Sequence, residues 1–188
     1  MRPDPPVHVG ATRPSAIGWT RIGITVGVGA LLAVLMAQRS TIEATALVVV
    51  LFGGLAVWTW ATQWTRFVVD ERGLTVSLGG ILPRRSWPLA DFRTVQLRTL
   101  PAASAGATIG GYGWRRGSVL SAGPHELTPV GKRKVFTTAA TKQPCRIMVT
   151  GPGTVVEIIG RGTTNYLISP VDPQATADAV DQAIRSRR

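Results

Sequence analysis

Two long runs without a charged side chain constrain this sequence more than any other feature: Ile22 to Gln38, 17 residues, and Ala44 to Thr65, 22 residues. At the α-helical rise of ~1.5 Å per residue the runs reach about 25 Å and 33 Å, and a bilayer core of ~30 Å asks for about 20 apolar residues. The second run is long enough by itself. Arg21 and Arg39 bracket the first, and long basic side chains that reach outward to the headgroups extend its usable length. Trp58, Trp60 and Trp64 stand at the far end of the second run and Trp19 at the matching end of the first, where indoles favour the membrane interface.

Two other readings exist: a helical hairpin buried in a soluble protein, and a cleaved leader for the first run alone. Charge-free runs of this length are rarely tolerated outside lipid. No A-x-A site follows "VLMAQRST", and a second apolar run begins almost at once. The expectation is therefore a transmembrane hairpin over residues 16–65, with helices at about 20–38 and 43–64, preceded by a proline-rich, disordered tail over residues 1–15. Arg2, Arg13 and Arg21 precede the first span and Arg66 and Arg72 follow the second, while the connecting "RSTIE" balances its arginine with Glu43. The positive-inside rule then places both termini in the cytoplasm and the chain in the cell (inner) membrane as a two-span protein. Gly23 and Gly27 form a GxxxG pair, and Gly53 and Gly54 lie within the second run; such small residues could seat the hairpin or a dimer.

From Arg66 the apolar continuity gives way to short alternating runs divided by glycine and proline, the pattern of a β-rich domain. "RFVV", the turn "DERG" and "LTVSL" read as a hairpin, "GG" as a turn, and "LADF" as a short loop or single helical turn leading into "RTVQLRT". "KVFTT", "RIMVT", "TVVEII" and "NYLIS" read as later strands, with "GPG" and "GRG" as the turns of two hairpins. In the closing segment Asp172 suits an N-cap and Pro173 the first helical position, and Thr176, Ala179, Val180, Ala183 and Ile184 share one helical face, predicting a helix over about 172–186. The expected fold is α+β: a membrane hairpin, then six to eight antiparallel strands in a sandwich or barrel capped by a C-terminal helix, with residues 66–188 as one cytoplasmic domain.

The succession of two spans, "FVVDERGLTVSLGG", "RRSWPLADFRTVQL", "GGYGWR" and "NYLISPVDPQATADAV" resembles small bacterial membrane proteins with two N-terminal transmembrane helices and a cytoplasmic PH-like domain. Gly110, Gly111, Tyr112, Gly113, Trp114 and Arg115 occupy that family's glycine–aromatic–arginine element, with its two aromatic positions differently filled. The stretch from Gly117 to Lys134 is longer than the compact family pattern. The resemblance implies the PH-like fold and a membrane address, and it carries over no catalytic residues.

The chemistry-bearing residues agree with a non-enzymatic protein. His8 and His125 have no HExxH partner, no G-x-S-x-G elbow is present, and Glu126 stands where a P-loop ending at Gly131-Lys132 needs glycine. One cysteine, Cys145, in a strand-like context reads as a buried thiol. No cofactor or metal is expected. Charge is more informative, since Arg66 onward holds 17 Lys/Arg against 8 Asp/Glu, most of the chain's net +11. Arg84 and Arg85, Arg115 and Arg116, and Lys132, Arg133 and Lys134 form three basic clusters suited to anionic lipid headgroups or a protein partner. They read equally as solvated, topology-setting charge. Nucleic acid is disfavoured because no aromatic platform interleaves with them. "GGYGWRRG" reads as a sharp bend with Tyr112 or Trp114 as a structural anchor, or as a contact site through its arginines. The functional expectation is a protein-interaction or assembly module at the inner leaflet, with anionic headgroup binding as the alternative.

Overall fold

A computed structural model describes residues 8–39, 41–82, 85–121 and 141–187. The sequence expectations for residues 1–7, for Arg84, His125, Lys132, Arg133 and Lys134, and for the "KVFTT" strand lie outside the described residues. Among those described, the order is β1 (His8–Thr12), α1 (Ala16–Arg39), α2 (Ile42–Ala61), β2 (Thr65–Asp70), β3 (Gly73–Leu78), β4 (Arg85–Pro88), a 3-10 turn (Leu89–Asp91), β5 (Phe92–Leu100), α3 (Ala105–Ile109), β6 (Gly113–Ser121), β7 (Thr141–Val149), β8 (Gly153–Gly160), β9 (Asn165–Ile168) and α4 (Pro173–Ser186).

α1 and α2 are long and apolar enough to span a membrane. Thr41 caps α2 by accepting from the Ala44 N–H, and Glu43 in the first turn complements the helix dipole. The hairpin is not a buried core: Ile24 is 61% exposed, Val50 72% and Val57 65%, so apolar side chains face outward around it. Helices apolar on all sides need an apolar surrounding. The two helices meet where Gly29 lies against Phe52, leaving no room for a side chain, since a Cβ at position 29 would stand 2.6 Å from the Phe52 Cβ. The GxxxG pair does not seat them, since Gly23 and Gly27, like Gly53 and Gly54, face open space.

The N-terminal tail expected to be disordered contains a strand. β1 pairs antiparallel with β2 from His8 opposite Val69 to Thr12 opposite Thr65. Strand pairing is a backbone interaction and needs no apolar periodicity of its own, so "HVGAT" gives little local signal. What it does need is a glycine at position 10, which lies over the ring of buried Phe67. β1, β2, β3 and β4 form a four-stranded antiparallel sheet. Its β2–β3 turn is closed by the Asp70 carboxylate, which accepts from the N–H groups of Arg72 and Gly73 at 2.9 and 3.0 Å. Gly73 has φ 132, and a Cβ there would lie 2.6 Å from the Leu89 nitrogen, so that position requires glycine.

The second sheet has the order β5-β8-β9-β7-β6 and is mixed rather than purely antiparallel. "GRG" joins the antiparallel pair β8–β9, but "GPG" closes no hairpin: β9 lies between β7 and β8 and runs parallel to β7. Every residue of β9 is buried and β8 is buried from Val155 to Gly160. Strands apolar on both faces belong in the middle of a sheet, which removes the edge position that a simple β7–β8 hairpin would have required. One core joins both sheets to α4 through Phe67, Leu74, Trp87, Val156, Ile168 and Val180. A second, on the opposite face of the five-stranded sheet, holds Leu100, Ile109, Val119, Ile147 and Val155. α3, which was not foreseen, contributes Ala105 and Ile109 to it.

α4 begins as its sequence requires, with Asp172 accepting from the Ala175 N–H at 3.0 Å and Pro173 in its first turn. Thr176, Ala179, Val180, Ala183 and Ile184 are its buried face.

Candidate functional site at the hairpin and domain junction

The chain leaves β1, runs through the whole hairpin and returns in β2, the strand paired with β1. Both feet of the hairpin are therefore planted side by side in one sheet. Thr12 and Thr65, opposite each other in the last register pair, share a 2.8 Å hydrogen bond, and Thr12 Oγ1 donates to the Gln63 carbonyl at 2.8 Å. Gln63 is only 2% exposed. Its side-chain amide donates to the Thr59 carbonyl at 3.3 Å and its Oε1 fills the space left by Gly18 of α1. Ser15 Oγ donates to the Thr150 carbonyl, and the Gly79 N–H donates to the Trp64 carbonyl at 2.6 Å. The hairpin base is thus bonded to both sheets.

"GGYGWRRG" completes the junction as the link from α3 to β6. Gly110 ends α3 with φ 70, and Gly113 starts β6 with φ 101 beside Thr62 of the α2 C-terminus. The Trp114 N–H donates to the Thr62 carbonyl at 3.0 Å. The Trp114 ring stacks on Trp87 at 5.6 Å and 17°, Trp87 contacts Tyr166 at 4.9 Å, and Tyr166 meets Phe92 edge-on at 5.2 Å. This aromatic row carries the junction into the core between the sheets. Tyr112 packs on the second core instead, near Gly106 of α3. The Tyr166 hydroxyl donates to Asp91 Oδ2 at 3.1 Å. Burial and that neighbouring carboxylate push the phenol up to about 12.

The basic residues separate. Because alternate side chains of a strand point to opposite faces, Arg115 lies on the side of Gly117 and buried Val119 while Arg116 is exposed on the other. The adjacent arginines therefore cannot grip one ligand. Arg85 stands exposed on β4, the edge of the other sheet. Arg115 Nη1 donates to the Gly110 carbonyl, while Nε and Nη2 are buried without an acceptor among the described residues. Burial and then the charge of Arg21 on α1 lower the Arg115 pKa. Arg21 is a neighbour that the sequence reading missed, because nothing local links positions 21 and 115.

Two buried groups of the second face are accounted for structurally. Glu157 accepts from Gln96 Nε2 at 2.8 Å and pairs with Arg98 at 3.4 Å. The buried Cys145 thiol is pushed up to about 12 by burial and the Glu157 charge, which suppresses the reactive thiolate. Comparison of the chain with protein families, curated proteins and solved structures finds no match in any of the three.

Proposed function

We propose that this chain is a non-enzymatic integral membrane protein of the cell membrane. Its β-rich unit is a PH-like domain at the cytoplasmic face, acting as a protein-interaction or assembly module. The observation that carries the reading is the splice of an outward-facing apolar hairpin into one antiparallel strand pair. A hairpin held at both feet fixes the pose of the domain against the bilayer, which suits a docking platform more than a freely tethered one. Two sheets sharing a core with a C-terminal helix support the PH-like assignment. The parallel β7–β9 pair is where the domain departs from a purely antiparallel plan.

For partners within the membrane, the open faces at Gly23, Gly27, Gly53 and Gly54 allow close approach of another helix. Photo-crosslinkers placed at positions 23 and 53 in native membranes test this. Protein adducts of defined mass are expected, and labelling of lipid alone at both positions would refute the assembly reading. Protease protection of tags at each terminus tests the cytoplasmic placement. The alternative function, recognition of anionic headgroups, has the exposed Arg85 and Arg116 as cations open to solvent.

A further inference from the structure

We propose that the turn after β3 is a further membrane contact, with the side chain of Ile81 inserted into the lipid bilayer beside the end of α2. Ile81 is 87% exposed, whereas the adjacent Leu82 packs against the main core. The backbone sets this outward direction. Gly79 and Gly80 take left-handed φ values of 60 and 72, and the N–H groups of Ile81 and Leu82 both donate to the Leu78 carbonyl, at 3.3 and 3.0 Å. The turn thus holds an apolar, β-branched side chain away from the core by its own hydrogen bonds.

A single exposed isoleucine on a protein surface needs no explanation. Ile81 differs because its turn is joined to the end of the apolar hairpin. The Gly79 N–H donates to the Trp64 carbonyl at 2.6 Å, and a Cβ at position 79 would lie 3.3 Å from Ala61 Cβ and 3.4 Å from Trp60 Cζ3. The turn therefore rests on the last residues of α2, next to the edge-on Trp60–Trp64 pair at 5.2 Å, and Trp64 is itself exposed. Indoles gather at headgroup level, so if the hairpin spans the membrane, the reading on which this inference rests, the turn stands at that level too. Exposed Arg66 and Arg85 lie opposite Ser77 and Val76, one and two residue steps along β3 from Leu78, or about 3 and 7 Å at the usual rise. An apolar side chain with cations set back from it matches the two layers of a leaflet surface, acyl chains below and anionic headgroups above.

The turn at the other end of the β2–β3 pair holds Asp70, Glu71 and Arg72 instead, the contrast that a membrane on one side only would require. The sheet also shows what the contact achieves. In the order β1-β2-β3-β4, the hairpin leaves from the ends of β1 and β2 at Thr12 and Thr65, and β3 ends at Leu78, opposite Thr65. Insertion of Ile81 supports the other half of the same sheet edge. The domain then stands on the bilayer along that whole edge, which opposes tilting about the hairpin.

Methyl NMR of the full chain in phospholipid nanodiscs, with isoleucine δ1-methyls labelled and each signal assigned by its Ile→Val variant, tests the contact on the native side chain. A lipid carrying a nitroxide on its upper acyl chain should erase the signals of Ile81 and of Ile24, which is 61% exposed on α1, and spare that of Ile158, which is fully buried in the domain core. A gadolinium chelate confined to water should leave Ile81 intact. Loss of the Ile81 signal to the chelate but not to the lipid nitroxide would overturn the insertion. Protection of Ile81 from both probes would overturn it as well, since another protein surface then covers the turn. In either case an Ile24 signal still erased by the lipid nitroxide leaves the membrane span standing, and an Ile24 signal spared by it refutes the span together with the insertion.

Discussion

Replacing Gly10 by alanine should destabilise the protein, although the residue lies in a stretch with the composition of a disordered tail. A Cβ at position 10 would stand 2.6 Å from Phe67 Cε2 and 3.0 Å from Cε1, against ~3.5–4.0 Å for relaxed carbon contacts. The ring of Phe67 is fully buried, so it must move by close to an ångström into a filled core. Overpacking of this kind costs about 1–3 kcal/mol, and reduced freedom of the unfolded chain returns about 0.4–1 kcal/mol. The net loss is about 1–2 kcal/mol, or roughly 2–8 °C in Tm for a chain of this size. Thermal unfolding in detergent reads it directly. Phe67→Leu in the same background removes the ring, so the double variant should lose less than the sum of the single losses. A Gly10→Ala variant as stable as the parent, or strict additivity with Phe67→Leu, would show that β1 is not paired over Phe67.

Trp87→Ala should cost about 3–5 kcal/mol, since it removes the centre of the Trp114–Trp87–Tyr166 row. Trp87→Phe should cost less, because it keeps a ring and deletes an indole N–H that is buried without an acceptor among the described residues; chemical denaturation of both variants checks the order. Thr12→Val should cost about 1–3 kcal/mol by leaving the Gln63 carbonyl and the Thr65 hydroxyl short of a partner, with hydrogen exchange at the hairpin feet as the readout. Cys145 and Tyr166, both held near 12 when folded, ionise sooner in the unfolded chain, at about 8.5 and 10. Their contribution is complete below those unfolded values and is lost as pH rises toward 12, so stability measured from pH 8 to 12 should fall. A folded Cys145 should resist thiol reagents at pH 8 until the chain is denatured.

The features legible in the sequence were those whose physics is local. Charge-free length defined the two helices long and apolar enough to span a membrane, Asp172 and Pro173 marked the start of α4, its spacing of Thr176, Val180 and Ala183 named the buried face, and Asp70 with Gly73 marked a turn. Each depends on residues within a few positions of one another. β1 was not legible, because its stability comes from the backbone of β2 more than fifty positions away. α3 was too short to announce itself, and "GPG" looked like a hairpin because nothing in those residues reveals that β9 will enter between the strands it joins. The candidate site shows the same division. Sequence determined that arginines crowd "GGYGWRRG", but only the tertiary structure set Arg115 apart from Arg116 and within the electrostatic influence of Arg21, because strand facing and helix docking decide which charges sense one another.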